Sequence, residues 1–159
     1  MDQLEQALTV IDSIRRALEA EVERARQERA LIRTMDVDGL VHRAALRATF
    51  NDQVGRLQQN LGSALAAAGA ALGLQEVTVA ALRAHKPQQS DRLADGLADI
   101  RSLAAALAEL DDLNRLLGQR ALSYVRAYLG ALNPTPSAYN RRGTAQAGIW
   151  QSRTVSRVV

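Results

Sequence analysis

The strongest constraint on the fold is a helical stripe that runs without interruption through the last third of the chain. Its members alternate at steps of four and three residues and are Leu110, Asn114, Leu117, Ala121, Tyr124, Tyr128 and Ala131. A second apolar set lies off this stripe and comprises Leu113, Leu116, Leu122, Val125, Leu129 and Leu132. A helix that is apolar on more than one face is either deeply buried or covered by a partner. The stripe therefore predicts one long helix with more apolar surface than a short chain easily buries.

Similar periodicity precedes this segment and predicts an all-α protein. The chain contains only three prolines, two of them beyond the stripe, and it is rich in Ala and Leu, the strongest apolar helix formers. We expect an elongated antiparallel helical hairpin or bundle of three long helices plus a short connecting helix. The helices are predicted at about residues 3–35, 40–72, 76–84 and 91–132, with 133–159 as a flexible basic tail.

Each long helix carries its own predicted apolar face. In the first helix the face comprises Leu4, Leu8, Ile11, Ile14, Leu18, Val22, Ala25 and Ile32. In the second it comprises Phe50, Val54, Leu57, Leu61, Ala64, Ala68 and Ala71. The short connection between these two helices predicts that they form a hairpin. Asp36 or Asp38 is expected to cap the second helix and Gly73 to end it in the left-handed conformation.

The last helix is predicted to begin after Ser90 as its N-cap, with a first seam of Leu93, Leu97, Ile100, Ala104 and Leu107. Two consecutive three-residue steps then lead from Ala104 to Leu110. Such a shift locally overwinds a coiled coil. We therefore expect the packing partner to change near Leu110, with the first half of the helix on the hairpin and the second half projecting. Asn114 then lies on the seam, where a buried Asn fixes register; an exposed position or a local backbone contact is the alternative.

The residues that carry common catalytic and metal-binding chemistry are scarce or isolated. There is no Cys, and His42 and His85 do not form a helical ligand pair. No Gly-rich phosphate loop or nucleophile elbow is present. We therefore expect no enzymatic activity, no cofactor and no metal site.

The excess positive charge is confined to the end of the chain. Residues 1–132 have a net charge of −1, and residues 133–159 have a net charge of +4, which together give the overall +3. The body therefore has no basic stripe with which to neutralise phosphates, and we expect no nucleic-acid binding. No secretion signal and no segment suited to spanning a bilayer is evident, so we expect a cytoplasmic protein without membrane insertion. In the tail, Tyr139 and Trp150 are the only aromatic residues, and each is either an anchor for a partner or an unpaired surface residue.

A set of positions near the end of the chain resembles a known family. Leu113-Asn114 is followed by Gly118, a proline break begins at Asn133-Pro134, and Tyr139 and Gly143 come after it. With the long N-terminal helix, this layout resembles the FlgN-type flagellar export chaperones, whose pattern is roughly L-N-x-x-N-G and then Y-G-x-x-G. Here Leu117 stands in place of the second Asn and Asn140 in place of the first Gly.

The resemblance implies a non-enzymatic export chaperone and gives several residues a role. It would bind the terminal helical segment of flagellar hook-associated proteins, prevent premature assembly and deliver them to the export gate. The predicted client-binding residues are Leu113, Asn114, Leu116, Leu122, Val125 and Leu129. Tyr139 is implied to dock on the cytoplasmic domain of the export gate, and the protein is expected to be a monomer or weak dimer.

Two other functions remain open from the residues. One is a structural coiled-coil protein that self-associates through the last helix. The other is a regulatory module that binds nucleic acid or an anionic membrane through its basic tail. The regulatory module predicts binding that depends strongly on salt, whereas binding of a client through mainly apolar contacts would depend little on salt.

Overall fold

The computed structural model describes residues 2–132 and the backbone pairing of 138–139 with 145–146. Four helices follow in order, α1 Gln3–Thr34, α2 Val37–Ala71, α3 Val79–His85 and α4 Pro87–Leu132. Two-residue strands, β1 Ala138–Tyr139 and β2 Ala145–Gln146, pair antiparallel with Tyr139 opposite Ala145. The predicted all-α class is confirmed. Apart from these two residue pairs, the predicted flexible tail lies outside the described residues.

The chain divides into two compact units, Met1–Ala121 and Leu122–Val159. The expected division after residue 132 therefore falls earlier, inside α4. The difference follows from exposure, because every side chain from Leu122 to Leu132 is exposed.

Within the first unit, α1 is the central element of the core. All eight residues of its predicted apolar face are buried. One core cluster surrounds Leu4, Leu8 and Ile11 and includes Leu82 of α3 and Leu93 of α4. The other surrounds Ile14, Leu18, Val22 and Ala25 and includes Phe50 of α2 and Leu107 of α4. The predicted α1–α2 hairpin is confirmed, since α2 packs along α1.

The seam of α4 differs from its prediction at one position. Ala104 is exposed, whereas Leu103 and Leu110 pack against the second core cluster. The two consecutive three-residue steps therefore occur from Leu97 through Ile100 to Leu103, earlier than predicted. The larger side chain of Leu103 removes more apolar surface from water than Ala104 could, which favours this register. Packing on α1 consequently continues past Leu110 to Asn114.

Both ends of α2 are fixed by local hydrogen bonds. Asp36 caps it as expected, since its Oδ1 accepts from the Gly39 amide at 2.9 Å. At the other end, the Leu74 amide donates to the Gly69 carbonyl at 2.9 Å and the Gly73 amide donates to Ala70 at 3.1 Å. This pair of bonds is a Schellman motif, and it places Gly73 at a φ of +67°. The predicted left-handed end at Gly73 is confirmed.

The start of α4 is earlier than predicted, at Pro87 rather than Asp91. Proline suits the first position of a helix because its fixed φ is already helical and its missing N–H would have had no partner there. The Ser90 amide donates to the Lys86 carbonyl at 3.0 Å, so Ser90 lies inside the first turn and is not the N-cap. Lys86 also donates to Asp2, the N-cap of α1, at 3.0 Å. This hydrogen bond, with that from the Leu4 amide, holds the pKa of the Asp2 carboxyl below its usual range.

Two glycines in α2 and its C-terminal turn allow a matched test of the backbone conformation. A Cβ atom would meet no other atom within 4 Å at either Gly73 or Gly62. We expect Gly73→Ala to lower the free energy of unfolding by about 1 kcal/mol, because alanine is strained at positive φ. Gly62→Ala, inside the helix, should raise it by about 0.5–1 kcal/mol. Urea unfolding of both variants measures the difference, and the same sign for both would contradict this account.

Candidate functional site

A fully buried carboxylate lies at the centre of the first unit. Glu21 of α1 is 0% exposed. Its Oε1 accepts from Arg43 of α2 at 2.5 Å and is 3.0 Å from Arg47, while its Oε2 accepts from Arg24 at 2.6 Å. A buried ion is tolerated only when it is paired and hydrogen-bonded, because leaving water costs several kcal/mol. Three arginines on two helices meet this need for Glu21.

The same arginines connect Glu21 to its surroundings. Arg43, itself 6% exposed, has its Nε 3.3 Å from the Glu28 carboxylate on α1. Arg47 pairs with Asp111 of α4, and its guanidinium lies 5.9 Å from the centre of the Phe50 ring. These residues form an ion cluster that joins α1, α2 and α4.

Asn114 is buried on the seam between α4 and α1. Its Nδ2 donates to the Ala25 carbonyl at 2.7 Å, and its Oδ1 accepts from the Nε of Arg29 at 3.3 Å. Both bonds require this orientation of the amide, because the reverse would place its NH₂ against the guanidinium. Asn114 is thus on the seam as expected, and the partner is α1 of the same chain.

A cleft opens beside this cluster, between the start of α2 and the middle of α4. Its volume is about 420 Å³. Residues of α1, α2 and α4 line it, and they include Ile32, Leu40, Arg43, Ala44, Asn114 and Gly118. Sequence reasoning did not identify this cleft, because its walls come from three separate helices.

The predicted client-binding leucines of α4 are exposed in both units. In the first unit, Leu113 and Leu116 are 48% and 43% exposed. In the second, Leu122 and Leu129 are both 57% exposed and Val125 is 36% exposed. Tyr124, Tyr128 and Leu132 are also exposed, although they were not among the predicted site residues.

The exposed residues form one group in each unit. Leu113 and Leu116 lie three residues apart in the first unit and share a side of the helix. Leu122, Val125 and Leu129 follow at steps of three and four and therefore share a side. The α4 helix thus has two apolar faces, which we name the Leu113 face (Leu113, Leu116) and the Leu122 face (Leu122, Val125, Leu129).

The comparison with protein families identifies the chain. The model of the family described as FlgN protein matches residues 1–147. The chain belongs to the FlgN family. No curated protein and no solved structure matches it significantly.

FlgN proteins are flagellar export chaperones that bind flagellar proteins, so the resemblance found in the sequence is confirmed. Two of the residues that carry it, Asn114 and Gly118, both line the cleft. The backbone of Tyr139 lies in β1, but its side chain is outside the described part of the chain. Trp150 lies wholly outside the described residues. In the described part of this FlgN chain, no helix has the length and apolarity needed to cross a membrane. That part also holds no group of three side chains able to bind a metal ion.

The ion cluster predicts an unequal effect of the same substitution at two neighbouring glutamates. Glu21→Gln removes the buried negative charge and leaves the buried Arg43 with Glu28 as its remaining carboxylate, so we expect the free energy of unfolding to fall by about 3 kcal/mol. Glu23→Gln is the matched control, because Glu23 is exposed and bonds only Arg26 and Gln27 of its own helix. We expect little change there. Urea unfolding checks both, and equal effects would show that Glu21 is not the structural charge described above.

Proposed function

We propose that this FlgN protein binds the terminal helical segment of flagellar hook-associated proteins, prevents their premature assembly and delivers them to the export gate. Family membership supports the general role of flagellar export chaperone. The observation that carries the finer proposal is the exposure of large apolar side chains along the second half of α4. Contiguous exposed apolar residues mark interaction sites more often than inert surface.

The physical basis of the proposal is burial of one helix face against another. An amphipathic helix binds an apolar groove or face through anchors at steps of three and four residues. Leu122, Val125 and Leu129 have this spacing and are exposed. A client helix that covered them would bury both their apolar surface and its own apolar face. That burial would keep the client soluble and unassembled. Tyr124 and Tyr128 add the aromatic side chains that are common at interfaces.

The two faces of α4 have different roles in this proposal. The Leu122 face, in the second unit, is the main client contact, and the Leu113 face, in the first unit, is a further contact. Asn114 is already bonded to Ala25 and Arg29. A direct bond from Asn114 to a client therefore requires α1 and α4 to separate at that level.

Client binding is tested by calorimetric titration with the terminal helical segments of hook-associated proteins from the same organism. We expect one-to-one binding with a negative heat-capacity change, because apolar surface is buried. Leu122→Asp should weaken it roughly tenfold or more, since the charge would have to be desolvated. Ala127→Asp is the control, because it adds the same charge at an exposed position on the other side of α4.

The possible results separate the proposal from its rivals. No binding by the folded protein, or equal weakening by both aspartate variants, would contradict the proposed client surface. A stable homo-oligomer dispersed by Leu122→Asp would instead indicate self-association through α4. Binding to nucleic acid or anionic vesicles that disappears with salt and with removal of residues 133–159 would indicate the tail-dependent regulatory module.

The family resemblance also implies a separate contact with the export gate through Tyr139. We expect Tyr139→Ala to abolish measurable binding to the cytoplasmic domain of the gate while the affinity for the client segment stays within about twofold of the wild type. Tyr139→Phe keeps the ring and is the matched control. Pull-down of the gate domain and client titration on the same preparations measure the two affinities. Unchanged gate binding by Tyr139→Ala would remove this residue from the docking contact.

A further inference from the structure

We propose that the Leu113 face of α4 pairs with the same face of a second copy of this chain, with the two α4 helices antiparallel. A client that binds the Leu113 face then replaces the second copy. The pairing itself does not depend on the proposed function, and only its replacement by a client rests on that function. In the absence of a client, the chain is therefore in equilibrium between a monomer and a weak dimer.

The Leu113 face is the apolar centre of a longer exposed stripe on α4. Glu109 precedes Leu113 by four residues, and Arg120 follows Leu116 by four residues. The steps from Glu109 to Arg120 are therefore four, three and four, so the four side chains share one side of the helix. All four residues are exposed, with Leu113 at 48% and Leu116 at 43%. The whole stripe lies within the first unit.

The two charges at the ends of this stripe have no ionic partner among the described residues. Asp112 and Arg115, which lie between them in the sequence, pair with each other at 2.8 Å. Within residues 2–132, neither Glu109 nor Arg120 forms an ion pair or a side-chain hydrogen bond. Both charges can therefore pair with another chain without breaking an existing bond in this part of the structure.

The order of residues along the stripe makes it complementary to itself. The stripe consists of an acid, two leucines and a base, and an antiparallel copy presents a base, two leucines and an acid. A two-fold axis midway between Leu113 and Leu116 places each of them against the other residue of the second copy. The same axis places Glu109 of each copy against Arg120 of the other. One symmetric contact, in which both copies use the same surface, thus gives two leucine pairs and two ion pairs.

The charges also select the direction of the second helix. In a parallel pair with the same register, Glu109 would face Glu109 of the other copy, and Arg120 would face Arg120. Like charges placed opposite each other disfavour an interface. Antiparallel pairing satisfies both charges and keeps the leucines together, so this chain itself supplies the complementary helix. We therefore assign the stripe to a second copy when no client is present.

The size of the stripe limits the strength of the dimer. From Glu109 to Arg120 it covers about three turns of helix. Stable protein–protein interfaces bury about 1,200–2,000 Å² in total, which is more than two leucines from each copy provide. Exposed ion pairs fix orientation more than they add affinity. We expect a dissociation constant on the order of 10–100 μM, which a client that buries more apolar surface can overcome.

The first test is sedimentation equilibrium of the full chain without client, from about 10 μM to 1 mM. The wild type should change from monomer to dimer across this range. Leu116→Asp should weaken dimerisation roughly tenfold or more, because the dimer would bury two added charges. Leu122→Asp is the matched control on the Leu122 face and should stay within about twofold of the wild type. A wild-type monomer throughout, or an equal loss in both variants, would overturn the inference.

The second test reverses the charges of the stripe. Glu109→Arg and Arg120→Glu should each weaken dimerisation roughly tenfold or more, because each change replaces two attractive pairs with two repulsive ones. The two changes together in one chain should return the dissociation constant to within about threefold of the wild type. Arg101→Glu is the control, since Arg101 is exposed on α4 but lies off the stripe. Additive losses in the double variant would contradict the proposed pairing.

The direction of the two helices is tested by disulfide crosslinking, because the chain contains no Cys of its own. A mixture of Glu109→Cys and Arg120→Cys chains should form a disulfide between the two variants under mild oxidation. Glu109→Cys alone should not, because the two-fold axis separates its two copies by about 16 Å along α4, beyond the reach of a disulfide. Efficient crosslinking of Glu109→Cys alone would indicate a parallel pair and overturn the inference.

The last measurement adds a client peptide to the wild-type dimer. Conversion of the dimer into complexes of one chain with one peptide would support replacement of the second copy by the client. A complex that contains the peptide and is still dimeric would overturn that replacement. If no peptide binds, the proposed function fails, whereas the dimer is judged separately by the three measurements made without peptide.

Discussion

The first unit depends on how the charge of Glu21 is compensated. A carboxylate with no exposure is costly in an apolar interior unless donors surround it, and here Arg24, Arg43 and Arg47 do so. Two of these arginines come from α2, and Arg47 also pairs with Asp111 of α4. The position of α2 on α1 is therefore fixed by charge as well as by apolar packing. A shift of one helix turn, about 5.4 Å, would break all the bonds between Glu21 and α2.

This specificity matters because the apolar core is thin and repetitive. Much of α2 that faces α1 is alanine, as at Ala64 and Ala68, and leucines recur at equivalent spacing along α1 and α4. Such surfaces pack almost equally well in several registers, since small and similar side chains present few distinctive shapes. The bonds from Glu21 to α2 and from Asn114 to the Ala25 carbonyl are satisfied in only one register. The polar contacts thus select the alignment, and the apolar residues supply most of the burial energy.

The helices and their apolar faces could be predicted from the sequence because they depend on local periodicity. Every residue of the predicted α1 face is buried, and the end of α2 at Gly73 was identified from residue type, which also narrowed the N-cap to Asp36 or Asp38. The buried ion cluster was missed because charged residues on long helices are usually solvated. A signal for it was present: Glu21 lies between Leu18 and Ala25 on the stripe of α1, and Arg43 lies seven residues before Phe50 on that of α2. Opposite charges at two core positions of pairing helices indicate a buried pair. Leu103 in place of Ala104 could not be predicted, since both registers preserve a helical period and only tertiary packing distinguishes them.

The exposed apolar surface of α4 has a simple origin in helix length. The α4 helix contains 46 residues, whereas α1 contains 32 and α2 contains 35. Neither α1 nor α2 is therefore long enough to cover the whole of α4. The residues up to Asn114 use their apolar stripe on α1, and the same spacing continues through Tyr124 and Tyr128, which are exposed. A sequence that only needed to fold would place polar residues at those positions. In the proposed function, a helix of the client supplies the apolar surface that covers the leucine, valine and tyrosine side chains there. The buried charges have the other role, because Arg43 pairs with both Glu21 and Glu28 inside the first unit and so fixes the alignment of α1 and α2.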